Sequence, residues 1–211
     1  MISIEEIKLY LPKYLSPESE KDLFDQLKTF PDNIDTRLYT RYVNDDNVIY
    51  QGDGLDGMLF VNLPDSHIAK VPSVILSNSC DIHPDNVRYL SPSIIYSPIL
   101  NLGKYEARLI EKGIEKSRVT NHIDMIRKQK ITSIFYLPRG GSLDSESMVS
   151  LDSINTCDIN YIDKDKIKSM KIFTLSNYGH YLFLFKLSIH FTRVTEGFDR
   201  DRMIGWSSLI H

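Results

Sequence analysis

Residues 71 to 86, VPSVILSNSCDIHPDN, set Ser77, Asn78, Ser79, Cys80, Asp81, His83 and Asp85 directly behind an apolar run. Two chemistries are open to such a cluster. Ser77, Asn78, Ser79 and Asp81 could form a polar rim whose amide and hydroxyl groups read the bases or phosphates of an extended nucleic-acid strand. They could equally make an Asx/Ser turn that closes a strand by bonding to its own backbone. A cysteine nucleophile is disfavoured, because the Asp81 carboxylate beside Cys80 opposes the thiolate.

Other reactive side chains point to less. Cys80, His83 and Asp85 are close in sequence, and Cys157 repeats the Cys-Asp-Ile motif of Cys80. There is no Cys-x-x-Cys pair, however, and His67, His83, His122, His180, His190 and His211 are scattered, so structural thiols with no metal and no cofactor are expected. Asp53, Asp56 and Asp65 sit in Gly- and Pro-bearing turns, where acids are ordinary. GDGLDG lacks the Lys-Ser/Thr of a phosphate loop. Arg139 opens RGGS, whose Gly140-Gly141 is a hairpin signal; the arginine either leans over the sheet as a binding residue or stays in an exposed turn.

The elements that must position these residues change in texture along the chain. Residues 1–45 read as helical. Ser3 caps a first helix with Ile4, Ile7 and Leu11 on one face and Pro12 at its limit. Ser16 and Pro17 open a second, with Leu23, Phe24 and Leu27 as its stripe and Pro31 as its stop. DTRLYTRYV is ambiguous. From residue 48 to 159, short apolar runs bounded by Gly, Asp and Pro predict about six strands: NVIYQGDG, MLFVNLPD, VPSVILSNS, SPSIIYSPIL, ITSIFYLP and SMVSLDSINTCDI. The prolines of SPSIIYSPIL suit an edge or a bend. A helical insertion near 103–130 carries alternating charge and reads as exposed and solvated. The C-terminal stretch places Leu175, Leu182, Phe185 and Ile189 at helical spacing, with Gly197 as its stop. Its aromatic content on more than one face implies burial on two sides, against the rest of the chain or against a second copy.

The strand series GDGLDGMLFVNLPD, KVPSVILSNSCDI, SIIYSPI, SIFYLP and SMVSLDSINTCDI resembles the MazF/PemK family of growth inhibitors over roughly residues 48–168. Gly52-Asp53, Leu63-Pro64 and Pro72 to Asn78 stand where that family has Gly-Asp, a proline turn and a proline-to-serine strand. The resemblance implies an SH3-like antiparallel β-barrel, cleavage of single-stranded RNA, and a place in a bacterial toxin–antitoxin or phage-defence system with an antitoxin or partner protein from the same operon. The family's arginine before the proline is Val71 here, with Lys70 one place earlier. Its threonine falls near Leu100, and Ser97 is the closest hydroxyl. RNA cleavage through the 2′-OH needs a base near the nucleophile and a cation for the phosphorane charge. Lys70 and Ser97 are therefore the candidate catalytic pair, and Lys70 lacks the fork an arginine gives a phosphate.

Composition bounds the rest. The chain has 211 residues, 42% hydrophobic and 25% charged, with a formal charge of −3 from 25 basic and 28 acidic residues. That balance disfavours loose nucleic-acid binding through a broad basic surface. Two cysteines, and an N-terminus without an apolar leader, predict a cytoplasmic protein with no membrane span. The reading is an α+β chain: an N-terminal helical extension (1–45), a MazF/PemK-like β-barrel with its helical insertion (46–168), and a C-terminal aromatic-rich helix (169–211). The expected role is a non-catalytic barrel that binds a partner protein or nucleic acid; the alternative is a sequence-specific single-stranded RNA endoribonuclease.

Overall fold

The computed structural model describes residues 16–42, 45–86 and 88–192. The helix expected around Ile4, Ile7 and Leu11, and the stop expected at Gly197, lie outside the described residues. Helix α1 (Pro17–Leu27) starts as its sequence dictates. The Ser16 hydroxyl accepts the Ser19 N–H at 3.1 Å, and Pro17 occupies the first turn, where no backbone donor is needed. Leu23 is buried, and Phe24 and Leu27 pack on the same core. The ambiguous DTRLYTRYV becomes a 3-10 turn, Thr36–Leu38, capped by Asp35, that runs into β1 (Tyr39–Thr40).

Six strands lie between residues 48 and 159, β2 (Gly54–Asn62), β3 (Asp65–Ile75), β4 (Ser93–Asn101), β5 (Ile134–Leu137), β6 (Ser147–Ser150) and β7 (Asn155–Asp158). The match in number hides two differences: NVIYQGDG is not a strand of its own, and SMVSLDSINTCDI, expected as one strand, splits into β6 and β7. Val48 to Tyr50 is not a strand; Val48 and Ile49 are buried, but in an irregular segment that turns at Gly52, whose φ is +88°. β3 begins earlier than expected, because a turn of only Leu63 and Pro64 folds it back so that Asp65 faces Asn62. β8 (Lys171–Leu175), absent from the sequence reading, pairs with β2 and β1.

All pairings are antiparallel, in the order β1-β8-β2-β3-β4-β6-β5, with β7 also on β4. β4 is interior rather than an edge. Its residues Ser93–Tyr96 pair with β7 and Ile99–Asn101 with β6, and Pro98 falls at the changeover, where a missing donor is tolerated. The end strands β1 and β5 do not pair with each other. The class is thus α+β with an open eight-stranded antiparallel sheet, and the expected closed barrel is corrected: β8 takes the outer edge of β2 at Gly54 and Leu55, extending the sheet where closure would begin.

Three apolar cores hold the sheet. One joins α1 and α6 (Asn177–Thr192) to β5, β6 and β8 through Leu23, Leu38, Phe135, Phe173, Leu182 and Phe183. A second fills the bend of β2, β3 and β4 with Leu55, Met58, Ile75, Ile94 and Tyr96, closed by Ile167 of α5 (Ile167–Met170). The third corrects the solvated insertion. Helices α3 (Leu102–Glu111) and α4 (Lys116–Arg127) bury Leu102, Val119, Ile123 and Ile126 against Tyr136 and Met148.

The C-terminal stripe also shifts. Leu175 ends β8, Phe185 is exposed, and the buried face of α6 is Tyr178, Tyr181, Leu182, Phe183 and Lys186. Gly179 lets this helix touch the backbone before β1, since a Cβ there would lie 2.2 Å from the Leu38 carbonyl oxygen. Among the described residues no helix is long and apolar enough to cross a membrane.

Candidate functional site

The polar burst after β3 satisfies itself. The Ser77 hydroxyl accepts the Ile95 N–H at 2.7 Å, extending the β3–β4 ladder by one side-chain bond. Asn78 caps α2 (Ser79–Ile82), its Oδ1 accepting the Cys80 N–H at 2.9 Å. Asp81 pairs with Arg88, and the Asn86 amide donates to the Cys80 carbonyl. These are the turn-closing bonds expected of Ser and Asn behind a strand.

Ser79 has a second role. Its hydroxyl accepts the Gln51 N–H at 2.9 Å, and the Gln51 side-chain amide donates to the Leu76 carbonyl at 2.7 Å. With Gly52 N–H bonded to the Ile75 carbonyl at 2.9 Å, the end of β3 is stitched to the loop before β2. Behind that loop lies Asp53, 0% exposed. It accepts the Tyr50 N–H at 2.9 Å and faces the Lys171 ammonium at 3.2 Å, which itself sits 5.0 Å from the centre of the Tyr50 ring. Burial pushes the Asp53 carboxyl above its ordinary value, against the opposing pull of Lys171.

Tyr50, Gln51 and Ser79 form one wall of a cleft of about 700 Å³. Helix α1 supplies Asp22 and Gln26 to the lining, and the start of α6 supplies Asn177 and His180. Tyr42, 95% exposed, and Thr40 flank it. The lining is dominated by hydroxyls, amides and aromatic rings. His180 Nε2 is buried and has no partner among the described residues, and burial lowers the pKa of the ring, which favours the neutral imidazole. Arg37 also borders the cleft, with its guanidinium forked onto Asp35 at 2.8 to 3.1 Å.

The candidate catalytic pair is not brought together. Ser97 is 0% exposed, and its hydroxyl donates to the Ser150 carbonyl. It sits opposite Val74, while Lys70 lies exposed four residues back along β3, roughly 13 Å away at strand rise. Arg139 is exposed in the turn after β5, outside the cleft. Of the candidate binding residues Ser77, Asn78, Ser79, Asp81 and Arg139, Ser79 lines the cleft, together with His180 from the scattered histidines. Ser77 and Asn78 are spent on the backbone beside Ser79, and Asp81 on Arg88.

Tyr50 and Gln51, directly before the Gly-Asp pair, are the wall residues that sequence reasoning passed over. Among the described residues no group of three or more His, Cys, Asp or Glu side chains could hold a metal ion. Cys80 is exposed on α2, whereas Cys157 is half-buried on β7, where burial pushes its thiol pKa up. The chain matches no protein-family model and no curated protein.

Proposed function

We propose that this chain is a non-catalytic, MazF/PemK-like binding protein of a bacterial toxin–antitoxin or phage-defence system, and that it holds single-stranded nucleic acid in the cleft between α1, α6 and the Tyr50–Gln51 loop. The observation that carries the non-catalytic part is Ser97. A hydroxyl that is fully buried and spent on a backbone carbonyl reaches no phosphate, and Lys70 stands far from it. The likeness to the family's barrel rests on the β2-β3-β4-β7 unit, where the Val61 N–H reaches Asn155 of β7 at 2.9 Å across the bend.

The lining supports the choice of ligand. Single strands are held by aromatic faces and by amide and hydroxyl contacts to base edges, and the cleft offers Tyr42, Tyr50, Gln26, Gln51 and Asn177. A protein-docking patch has an apolar centre instead. A formal charge of −3 fits recognition through bases rather than a broad phosphate-binding face. The endoribonuclease alternative has one observation in its favour: His180 lines the same cleft, and burial favours its neutral imidazole, the form a general base needs.

One assay separates the readings. The purified full chain is incubated with end-labelled mixed-sequence single-stranded RNA, beside Gln26→Trp, which narrows the cleft and removes one of its amides, His180→Ala and Lys70→Ala. Retention without cutting, lost in Gln26→Trp and kept in Lys70→Ala, is expected. No retention at micromolar protein, or retention indifferent to Gln26→Trp, overturns the proposal. Cuts that vanish in His180→Ala establish the nuclease instead.

A further inference from the structure

Within that reading, on which this step rests, the wall formed by Tyr50, Gln51 and Ser79 has the makings of a base-sized subsite. The Tyr50 ring is half-buried and lines the cleft. Its backbone N–H is tied to Asp53, and the Lys171 ammonium rests 5.0 Å from its ring centre, itself held by the buried Asp53 carboxylate. A ring pinned on one side by a cation is a preorganised platform for a second planar group.

Two polar side chains, Gln51 and Ser79, line the same cleft. One Gln51 side-chain N–H is donated to the Leu76 carbonyl, which orients the amide and leaves Oε1 as an acceptor, beside a second N–H, with no partner among the described residues. Ser79 Oγ accepts the Gln51 N–H, so its own proton is free to donate. Donors next to an acceptor, on a wall that also carries an aromatic ring, match the mixed pairing edge of an unstacked nucleobase. A phosphate, which only accepts, would leave Gln51 Oε1 unmatched.

We infer that Tyr50 is the stacking platform for one nucleobase of the bound strand, whose pairing edge is read by Gln51 Oε1 and the Ser79 hydroxyl, with Lys171 and Asp53 as positioning residues. The site binds by base and not by charge.

The test measures equilibrium binding of the full chain to a short single-stranded RNA and to a probe of the same length and charge in which every base is replaced by an abasic unit. Loss of one stacked base weakens binding by roughly 5- to 150-fold. Wild type is expected to bind the abasic probe more weakly by at least that factor. Tyr50→Ala should lose a similar factor on the normal RNA and little on the abasic one, and Tyr50→Phe should stay within about 2-fold of wild type. Equal affinity of wild type for the two probes overturns the inference, as does a Tyr50→Ala chain that binds the normal RNA like wild type. In both cases RNA is still bound, so the broader proposal survives. A wild-type chain that binds neither probe overturns both.

Discussion

Lys186 is a charged side chain placed where charge is costly, and that placement should be visible as a pH-dependent stability. The residue is 6% exposed on the inner face of α6, and its polar partner among the described residues is a backbone carbonyl and not a carboxylate. Its ammonium donates to the Gln129 carbonyl at 2.6 Å, just past the C-terminal end of α4, where exposed carbonyls favour a cation. Gln129 adopts φ +56° and grips Tyr136 with both ends of its amide, at 3.0 and 3.1 Å. Lys186 therefore ties the C-terminal helix to the helical insertion.

Burial pulls its pKa down to about 8, whereas an unfolded lysine titrates near 10.4. Below about pH 8 both states carry the proton, and the full cost of burying the charge is borne by the folded chain. Between that point and the unfolded value the folded chain releases its proton first. The unfolded state then binds more protons, and stability rises with pH. One pH unit is worth about 1.36 kcal/mol, so the contribution from pH 7 to pH 9.5 comes to about 2 kcal/mol.

Lys186→Met removes the titration while keeping the stem. The quantity to follow is the stability of wild type minus that of Lys186→Met, from urea unfolding at several pH values. The difference cancels the titration of Cys157 and of the buried tyrosines, which acts in the opposite sense. It should move in favour of wild type by about 2 kcal/mol between pH 7 and 9.5, or about 1 M in urea midpoint at a typical slope. A difference constant to within about 0.5 kcal/mol across that range would refute the assignment of a depressed pKa to this lysine.

Two further predictions concern packing. Gly179→Ala drives a methyl onto the Leu38 carbonyl, 2.2 Å from the ideal Cβ, and both partners are backbone. It should cost about 1–3 kcal/mol or more and weaken ligand retention, because the same helix start lines the cleft; thermal unfolding and RNA binding measure the two. Ile123→Ala empties a buried position of α4 over Tyr136 and Met148. A loss of about 2–5 kcal/mol in chemical denaturation is expected, and a change below about 0.5 kcal/mol would mean that the insertion does not share the core.

Local chemistry was legible in the sequence and distant pairing was not. Ser16-Pro17 announced α1 because a cap and a first-turn proline act within a few residues. Five of the six expected strand segments hold strands because Gly, Asp and Pro punctuate them, while the turn that splits SMVSLDSINTCDI into β6 and β7 carries no Gly or Pro. β8 escaped because KIFTL follows the lysine-rich DKDKIKSM, and only its partners β1 and β2, more than 100 residues earlier, give it a sheet to join. The α3–α4 insertion was misread as solvated, because its four buried residues are diluted among charges that face outward. The lesson of Ser97 is similar. A hydroxyl on a strand looks reactive in a sequence, while its burial depends on the strand β6 and the turn beyond it.

The cleft is the same problem at larger scale. Its walls come from residues 19–26, 37–42, 50–51, 79 and 174–180, so no window of sequence contains it. What the sequence did contain was the reason one wall holds its shape. Ser77, Asn78 and Ser79 are spent on the Ile95, Cys80 and Gln51 backbone donors, and those bonds fix where the Gln51 amide and the Tyr50 ring stand. The cluster at the end of β3 is therefore both of the things its residue types allowed. It closes a strand, and by closing it in this way it sets the donor and acceptor that a bound base would meet. It follows that Ser77→Ala, which removes only a bond to the Ile95 backbone, should weaken binding less than Ser79→Ala, which removes a group that lines the cleft. The opposite ranking would mean that the strand end and not the cleft is what the ligand touches.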